Sequence, residues 1–587
     1  MEVSCDRVPV IDDGQVHSGR RNALLCAILL AFCILIVHPV GHEGYLDDFS
    51  YAATSLEFLR TGHIIYNSWS APTEGWMIAW GAFFIKLFGF SFFTLRMANL
   101  PFALGSVYLF HRVLARFGLS QRNASVGALT LGLSPVFFPV AVSFMTDVPG
   151  LFVILLCVYM CQRAAVTATS KSAIFWLVAA AAVNVAGGTV RQNAWLGALV
   201  IVPSTGVLLR KRRGVLLASE ISALVSLVLI VALVHWFYSR PNMFVDPATK
   251  TMLHYSARDL LRQLTQLLLC LLFLLLPLLA AWWATARRLT RWAVLRISGA
   301  LAVMALCLYD AARRGRLNIW LAPWLHCSIS RYTGFPTEVD QLFGSSFSFP
   351  DWLGIALGLV AVAAALVAAE QIITERNRQA RPTFGLAVTS FLWILGPFTL
   401  ASVLLMIPRA ELYGLYDRYA LSLMPFGIAL VLLIYQRTIG PAVPAVSFVV
   451  LGIFACYSVA DAHDYYADMR AGDTAIQELM AAGVSETSIS QSENRDAWLQ
   501  VYLAGRIYWP GGPGVIVTRG RALSGAAVVP CSSFQESETP VVEPQYFVVF
   551  SPSPCLRPSG YPPVSYRAWL PPFHRSESIE QPEYLSP

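Results

Sequence analysis

Charged residues are scarce in this chain. They make up 13% of its 587 residues, whereas hydrophobic residues make up 56%, and a soluble globular domain usually carries about 25% charged residues. Apolar runs of about 20 residues, long enough to cross the hydrocarbon core of a bilayer, recur along the sequence. The scarcity of charge therefore excludes an ordinary soluble enzyme and predicts a polytopic α-helical membrane protein. The net charge of +7 does not indicate nucleic-acid binding, because the location of Lys and Arg matters more than their sum in such a protein.

Two kinds of motif are also missing from the sequence. None of the 11 cysteines belongs to a C-x-x-C or Cys/His cluster with zinc spacing, and most of them lie inside apolar runs, where cysteine behaves as a small buried hydrophobe. No glycine-rich loop that could cradle a nucleotide phosphate is present either. The sequence therefore predicts neither a structural zinc cluster nor a nucleotide-binding loop.

Hydropathy predicts about thirteen membrane spans, at 23–40, 93–114, 124–142, 148–163, 172–188, 194–210, 215–237, 261–285, 292–310, 352–370, 385–407, 419–436 and 440–460. If the arm at 1–22 is cytoplasmic, every inside loop is basic, as the positive-inside rule requires. The clearest example is "RKRR" at 210–213. An odd number of spans then places the C-terminus outside, so the prediction is a transmembrane catalytic domain at 23–460 with its main loops on the outer face.

The tail at 461–587 changes in composition and is predicted to be a small extracytoplasmic α/β domain. "DTAIQELMAAGVSETSI" has the pattern of an amphipathic helix, and "GVIVT", "GAAVVP" and "QYFVVF" have the pattern of strands. The final "HRSESIEQPEYLSP" is polar throughout, which predicts disorder. Cys531 and Cys555 lie in this tail, and either a disulfide or two free thiols is compatible with their position.

The stretch "YLDDFSYAATSLEFLRTG" at 45–62 opens the first outer loop. Its apolar residues recur at helical spacing, which predicts a short amphipathic surface helix, and Gly62 is a natural stop. Asp48 could cap this helix by accepting backbone N–H bonds. One cap does not explain two adjacent carboxylates, so Asp47 and Asp48 are candidates for an acid/base site.

Three further groups enter predicted spans from the same outer face. Asp147 begins the fourth span, Arg191 and Gln192 occupy the next short outer loop, and Arg418 and Tyr419 enter the twelfth span. Each has an ordinary alternative role, as a helix cap, an interface anchor or a snorkelling cation. Arg is also well suited to a phosphate, because its guanidinium binds the oxygens bidentately.

The order and sidedness of these segments resemble the C-type (GT-C) glycosyltransferase superfamily, and within it the protein O-mannosyltransferases and the lipid A aminoarabinose transferase. The resemblance covers residues of about 20–460. It is carried by "YLDDFSYAATSLEFLRTGH", "PTEGWMIAWGAFFIKLFG", "LR" at the start of the second span, "TDVPGLF", the "RQ" loop and "DRYALSLMPF".

The resemblance implies a sugar donor carried on a polyprenyl or dolichyl phosphate and transfer outside the cytoplasm. It implies that Asp47 or Asp48 acts near the reacting centre and that Asp147 matches the acidic residue after the third span. Glu74 occupies a place comparable to a metal-holding Glu of the aminoarabinose transferase, with His254 as its possible partner, although Gly75 and Trp76 depart from that family's Lys-Pro context. A divalent metal is thus a possible cofactor.

This chemistry needs a carboxylate to deprotonate the acceptor and cations to stabilise the departing phosphate. Asp48 is the first choice for the base, with Asp47 and Asp147 in support, while Arg191 and Arg418 suit the phosphate. The expected partners are the lipid-phosphate donor, membrane lipid and a lipid, polysaccharide or protein acceptor, in a bacterial inner or plasma membrane. The alternative function is a transporter or lipid flippase, which typically places ionisable groups near the membrane midplane.

Overall fold

The computed structural model describes residues 13–69, 72–244, 257–286, 289–313, 351–378, 386–412, 415–507, 539–550 and 556–582. Most of these residues are helical. The α-helices are α1 Asp13–Val37, α2 Asp48–Thr61, α3 Gly75–Phe88, α4 Phe92–Arg116, α5 Gln121–Gly132, α6 Phe137–Ala141, α7 Asp147–Val166, α8 Ser170–Gly188, α9 Val202–Leu208, α10 Arg213–Tyr238, α11 Ala257–Leu274, α12 Leu276–Trp283, α13 Arg291–Arg313, α14 Asp351–Arg378, α15 Leu386–Leu412, α16 Met424–Thr438, α17 Ala445–Ala481 and α18 Glu493–Ala504. Short 3₁₀ segments lie at Gln192–Ala194, Asp417–Ser422 and Glu486–Ser488, and a π-helical turn lies at Gly197–Ile201.

The composition of these helices confirms a multi-pass membrane protein. Among the described residues, 7 helices are long and apolar enough to cross a bilayer, and an eighth span forms if α11 and α12, bent by 67° at Leu275, count as one. A proline in the first turn of α12 accounts for the bend, because it cannot donate to the preceding turn. The other predicted spans fall on helices that are shorter, interrupted or more polar, at 93–114, 124–142, 194–210, 292–310 and 419–436.

One large hydrophobic core runs through the helical body, and a smaller cluster of Tyr66, Ile78, Phe237 and Met243 lies apart from it. Helix α4 packs against α1, α5 and α7, α7 packs against α8, and α17 packs against α1 and α12. The N-terminal boundary differs from the predicted one, because α1 begins at Asp13 and not after residue 22. The apolar part of this helix begins at Gly19, so its first turns are the part that the hydropathy pattern missed.

The predicted domain boundary at 460/461 falls inside a helix. Helix α17 runs without a break for 37 residues, a length of about 55 Å, whereas the hydrocarbon core of a bilayer is about 30 Å thick. Its second half contains most of the segment predicted to be a separate amphipathic helix. The last membrane helix therefore continues directly into the C-terminal part of the protein.

The C-terminal part contains a five-stranded sheet with the order β1-β2-β5-β3, and β4 also pairs with β5. The strands are β1 Ile489–Ser490, β2 Tyr546–Val549, β3 Leu556–Pro558, β4 Val564–Arg567 and β5 His574–Pro582. Only β1 and β2 are parallel, with Ile489 opposite Tyr546, and the other pairs are antiparallel. The predicted strand "QYFVVF" is confirmed as β2, whereas "GVIVT", "GAAVVP", Cys531 and Cys555 lie outside the described residues.

The predicted disorder of the last segment is wrong for 574–582. This segment is β5, which pairs with β2, β3 and β4. Polar side chains of β5 that are buried have polar partners on α17: Arg575 lies 3.5 Å from Asp464, and the buried Glu577 shares a side-chain hydrogen bond with Asp468. Polar composition predicts disorder only when such partners are lacking.

The sheet and α18 are attached to α17 and to the loop before α2 by buried polar contacts. Tyr566 donates to Asp468 at 2.6 Å, and the backbone N–H groups of Trp569 and Leu570 donate to Asp464 at 2.6 and 2.8 Å. From the other side, the Ser492 hydroxyl donates to Glu43 at 2.8 Å.

Glu43 makes the stability of this attachment depend on pH. Burial raises the pKa of Glu43 to about 8, and the neighbouring Asp473 carboxylate adds to the shift. The folded protein then keeps this proton up to about pH 8, whereas the unfolded chain releases it near its ordinary value of 4.5. The free energy of unfolding must therefore fall as the pH rises between these two values.

We expect Glu43→Gln, which is neutral at every pH, to lose less thermal stability than the wild type between about pH 5.5 and about pH 8.5. The difference should be several degrees in Tm, measured in detergent at one scan rate. Glu478→Gln, at an exposed position of α17, is the control and should follow the wild type. Equal falls in Tm for wild type and Glu43→Gln would contradict the assignment.

Candidate active site

The loop before α2 is fixed by a buried arginine of α4. Arg96 has no solvent exposure and donates to the carbonyl oxygens of Pro39 at 3.1 Å, Gly41 at 3.2 Å, and Glu43. This arginine is the "R" of the "LR" pair in the sequence. Its hydrogen bonds fix the backbone of the segment that leads to Asp47 and Asp48.

Asp48 points inward from the first turn of α2. It has no solvent exposure, and its two oxygens accept the backbone N–H groups of Tyr45 and of Phe144, the latter at 3.2 Å. Burial raises the pKa of Asp48 to about 7, although the positive charge of Arg96 opposes the shift. Asp48 therefore ties the first loop to the segment before α7, and it does not cap its own helix.

Asp47 points the other way. It occupies the N-cap position of α2, yet its side chain accepts no hydrogen bond from that helix. Its Oδ2 lies 3.2 Å from Nη2 of Arg418, and its Oδ1 accepts the indole N–H of Trp69 at 3.0 Å. The side chain of Asp47 keeps 28% of its exposure. Of the two carboxylates, it is the one that a substrate can reach.

Arg418 lies in the 3₁₀ segment that precedes α16, and its side chain is only 8% exposed. One nitrogen binds Asp47, and the guanidinium packs over the ring of Tyr416 at 4.9 Å. Nε and Nη1 are buried and find no hydrogen-bond partner in the part of the chain that the structure describes. A buried cationic donor without a partner is costly, so these two N–H groups are suited to an anionic ligand.

A second ion pair lies beside the first. Arg191 Nη2 lies 2.7 Å from Asp147 Oδ1, and its Nη1 donates to the Thr146 hydroxyl at 3.2 Å. The Arg191 guanidinium is also 5.7 Å from the centre of the Tyr419 ring, and Arg409 donates to the Tyr419 hydroxyl at 3.1 Å. Asp147 is the first residue of α7, and it also forms the ion pair with Arg191.

Tyr51 connects the two ion pairs. It follows Asp47 by one helical turn, is almost fully buried, and its hydroxyl has no hydrogen-bond partner among the described residues. Burial raises the pKa of Tyr51, and four charged residues act on it, namely Asp47, Arg418, Arg191 and Glu74. Residues from four distant parts of the sequence therefore surround one buried hydroxyl.

Glu74 is held near this cluster by backbone geometry. It precedes α3 with φ 56°, a left-handed conformation that is uncommon outside glycine, and its side chain is buried. The adjoining Thr73 hydroxyl donates to the carbonyl of Thr189, which ties this loop to the loop of Arg191. Gln192 lies in the same loop, in the 3₁₀ segment Gln192–Ala194.

The described residues do not fit a metal ion at Glu74. No group of three or more His, Cys, Asp or Glu side chains within the described ranges has a ligand arrangement. The predicted partner His254 lies outside the described residues. No catalytic step is derived through a metal.

The sequence prediction assigned no site role to three neighbours of the candidate site: Tyr51, Trp69 and Arg96, the last of which it named only within the "LR" motif. The position of Tyr51 four residues after Asp47 gave a weak signal, because residues i and i+4 share a helix face. Trp69 gave none, since its contact depends on how the chain returns after α2.

No protein-family model matches the sequence, and no curated protein matches it. Solved structures do show similarity. One is the S. cerevisiae protein O-mannosyltransferase Pmt1–Pmt2 complex bound to the sugar donor, with 16% identity, a TM-score of 0.31, and coverage of 42% of this chain and 39% of that chain. Another is ArnT from Cupriavidus metallidurans bound to undecaprenyl phosphate, with 16% identity, a TM-score of 0.38, and coverage of 95% and 98%. The same ArnT in the apo state has 14% identity and a TM-score of 0.31, covering 70% and 77%.

The similarity to these structures is limited to identities of 14–16% and TM-scores of 0.31–0.38. Similarity at this level assigns no residue role to this chain.

The contact between the loops of Glu74 and Arg191 can be tested at a glycine. A Cβ at Gly75, where φ is 41°, would lie 2.8 Å from the backbone carbon of Thr189, whereas a Cβ at Gly62, where φ is 71°, would meet nothing within 4 Å. Both alanine variants carry the cost of a left-handed backbone. Only Gly75→Ala should also push the two loops apart.

We therefore expect Gly75→Ala to lower the Tm by at least several degrees more than Gly62→Ala. Both glycines lie at a helix end with positive φ, so the difference between the variants reports the contact with Thr189. Thermal unfolding in detergent measures it. Indistinguishable variants would show that this contact does not hold the loops together.

Proposed function

We propose that the protein is a membrane glycosyltransferase that moves a sugar from a polyprenyl- or dolichyl-phosphate donor to an acceptor on the extracytoplasmic face. The observation that carries the proposal is the pair formed by Asp47 and Arg418. In this pair a partly exposed carboxylate contacts a buried guanidinium, whose Nε and Nη1 have no hydrogen-bond partner among the described residues. A base beside an anion site is the combination that this reaction requires.

The reaction needs no nucleotide, because the sugar phosphate already contains its leaving group. The acceptor hydroxyl or amine attacks the anomeric carbon and forms the new glycosidic bond, while its proton passes to the Asp47 carboxylate. The bond from that carbon to the phosphate oxygen breaks, and the phosphate keeps the electron pair. Nε and Nη1 of Arg418 stabilise the growing negative charge, with Arg191 nearby.

Asp47, and not Asp48, is the base in this proposal. Asp48 was the first choice from sequence because a helix start fixes a side chain in one direction. Its two oxygens accept backbone N–H groups and have no exposure, so a substrate could reach it only if the loop opened. Asp47 lies at the open side and faces Arg418 directly.

Asp147 acts through Arg191 in this proposal. Their 2.7 Å ion pair keeps the guanidinium at the site and offsets its charge, so that two arginines can lie close together without a ligand. Tyr419 and Gln192 complete the wall on this side. Glu74 approaches the same hydroxyl of Tyr51 and is a candidate contact for the sugar.

The site belongs to the outer face in the proposed topology of about thirteen spans, with a cytoplasmic N-terminus and an external C-terminus. This sidedness is supported by the basic residues in the predicted inside loops. A transporter or lipid flippase remains the competing function. Turnover of a polyprenyl-phosphate sugar by the purified protein separates the two, because a transporter leaves the glycosyl phosphate bond intact.

We expect Asp47→Asn to insert and fold but to lose about 10²- to 10⁴-fold in turnover, the usual range for a positioned base. Asp48→Asn should instead lower the Tm, since an amide has one acceptor oxygen for two backbone donors. Transfer rates per folded molecule, with Tm in parallel, measure both effects. The opposite pattern, a fast Asp47→Asn and an inactive but stable Asp48→Asn, would return the role to Asp48.

We expect Arg418→Lys to raise the KM for the donor about tenfold or more, because lysine keeps the charge but loses the planar fork that binds phosphate bidentately. Arg60→Lys on α2, where the arginine side chain is 72% exposed, is the matched control. Steady-state kinetics with varied donor measure the change. An unchanged KM in Arg418→Ala would exclude a phosphate contact.

A further inference from the structure

The conformation of Asp47 is unusual for its position. An Asp at an N-cap normally accepts an N–H group from the first turn of its helix. The backbone of Asp47 does start α2, since its carbonyl accepts from Ser50 and Tyr51, but its side chain makes no cap bond. Something other than the helix must hold this carboxylate in its observed direction.

Trp69 is one of the two side chains that hold it. Its Nε1 donates to Oδ1 at 3.0 Å, while Arg418 contacts only Oδ2. The indole N–H is a donor only, so it cannot remove the proton that Asp47 gains. The titratable and charged groups that face Asp47 are Asp48 and Tyr51 on α2 and Arg418 on the 3₁₀ segment.

The indole is placed by the way the chain returns along α2. Helix α2 ends at Gly62, whose φ of 71° reverses the chain. Asn67 then binds back to the helix, with its amide donating to the Ser50 carbonyl at 2.9 Å and its own oxygen accepting from the Ser50 hydroxyl at 2.8 Å. Two residues later the Trp69 ring packs on Phe49, with centroids 5.2 Å apart.

We propose that Trp69 is a positioning residue for the base, an inference that rests on the proposed function of Asp47. Its N–H keeps Oδ1 turned away from Arg418. Without it the carboxylate can rotate into a bidentate pair with the guanidinium or return to the helix cap. Either movement would remove the base from the acceptor, and the bidentate pair would also take a donor that the phosphate needs.

The test is Trp69→Phe, which keeps an aromatic ring against Phe49 but lacks the N–H. We expect kcat to fall about 10- to 100-fold, because the carboxylate turns away from the acceptor, and the KM for the donor to rise, because the bidentate pair takes a donor from the phosphate. The matched control is Trp80→Phe on α3, which removes an indole N–H that donates to the carbonyl of Ala98 at 2.8 Å, away from the site. Its kcat and donor KM should coincide with those of the wild type.

Two results would overturn the inference. One is a wild-type kcat and donor KM in Trp69→Phe. The other is a lower kcat with an unchanged KM for the donor, which would make Trp69 a packing residue. Asp47→Asn, assayed in parallel, separates this failure from that of the proposed function. If Asp47→Asn transfers at a near-normal rate, the base itself is wrongly assigned, whereas an inactive Asp47→Asn beside an unchanged Trp69→Phe removes only the role of Trp69.

Discussion

The geometry of the candidate site depends on a guanidinium buried beneath the loop before α2. Removing an arginine from water costs several kcal/mol unless its donors are satisfied. Nη1 and Nη2 of Arg96 meet this condition with carbonyl oxygens of Pro39, Gly41 and Glu43, whereas its buried Nε has no hydrogen-bond partner among the described residues. Its charge also packs over the ring of Tyr466 at 4.7 Å. Since these carbonyls belong to consecutive parts of one loop, the loop must follow the path that satisfies Arg96.

The two adjacent carboxylates follow from this constraint. Burial raises the pKa of Asp48 to about 7 against the opposing charge of Arg96, and backbone N–H groups occupy both of its oxygens. Asp47, one residue earlier, points toward the opposite side, where Arg418 lies. The two carboxylates can be adjacent because their side chains point in opposite directions. The two residues of the "DD" pair therefore have different roles: Asp48 fixes the loop, and Asp47 faces the space in which a ligand would bind.

Much of the candidate site could be predicted from the sequence, because the predicted side of the membrane follows from where a residue lies relative to the spans along the chain. Positive-inside loops and span ends were enough to assign Asp47, Asp147, Arg191 and Arg418 to one face, and the structure brings these four together. The roles of the two carboxylates could not be predicted, because a side-chain direction depends on contacts across long sequence separations. Trp69 and Arg96 were missed for the same reason.

The errors in the C-terminal part have one physical cause. Composition was used to divide the chain at 461 and to predict disorder after 574, but burial of charge depends on partners and not on composition. The acidic turns of α17 are the partners of β4 and β5: Asp464 faces Arg575 of β5, and Asp468 faces Tyr566 of β4 and Glu577 of β5. The polar end of α17 and the polar strand β5 bury each other's side chains, although the composition of neither segment predicts a buried position.

Helices α17 and α18 are connected to the candidate site through the loop before α2. Tyr465 of α17 donates to the Gly44 carbonyl at 3.3 Å, and Asn494 of α18 donates to the same carbonyl at 3.4 Å. The loop that carries Asp47 is thus held from α4, from α17 and from α18. A catalytic carboxylate must be kept within about 0.5 Å of its working position, and a loop that is fixed from several elements meets this demand better than one fixed at its ends. The C-terminal part of the chain, which shares no motif with the resemblance found in the membrane part, contributes to the candidate site by holding its backbone.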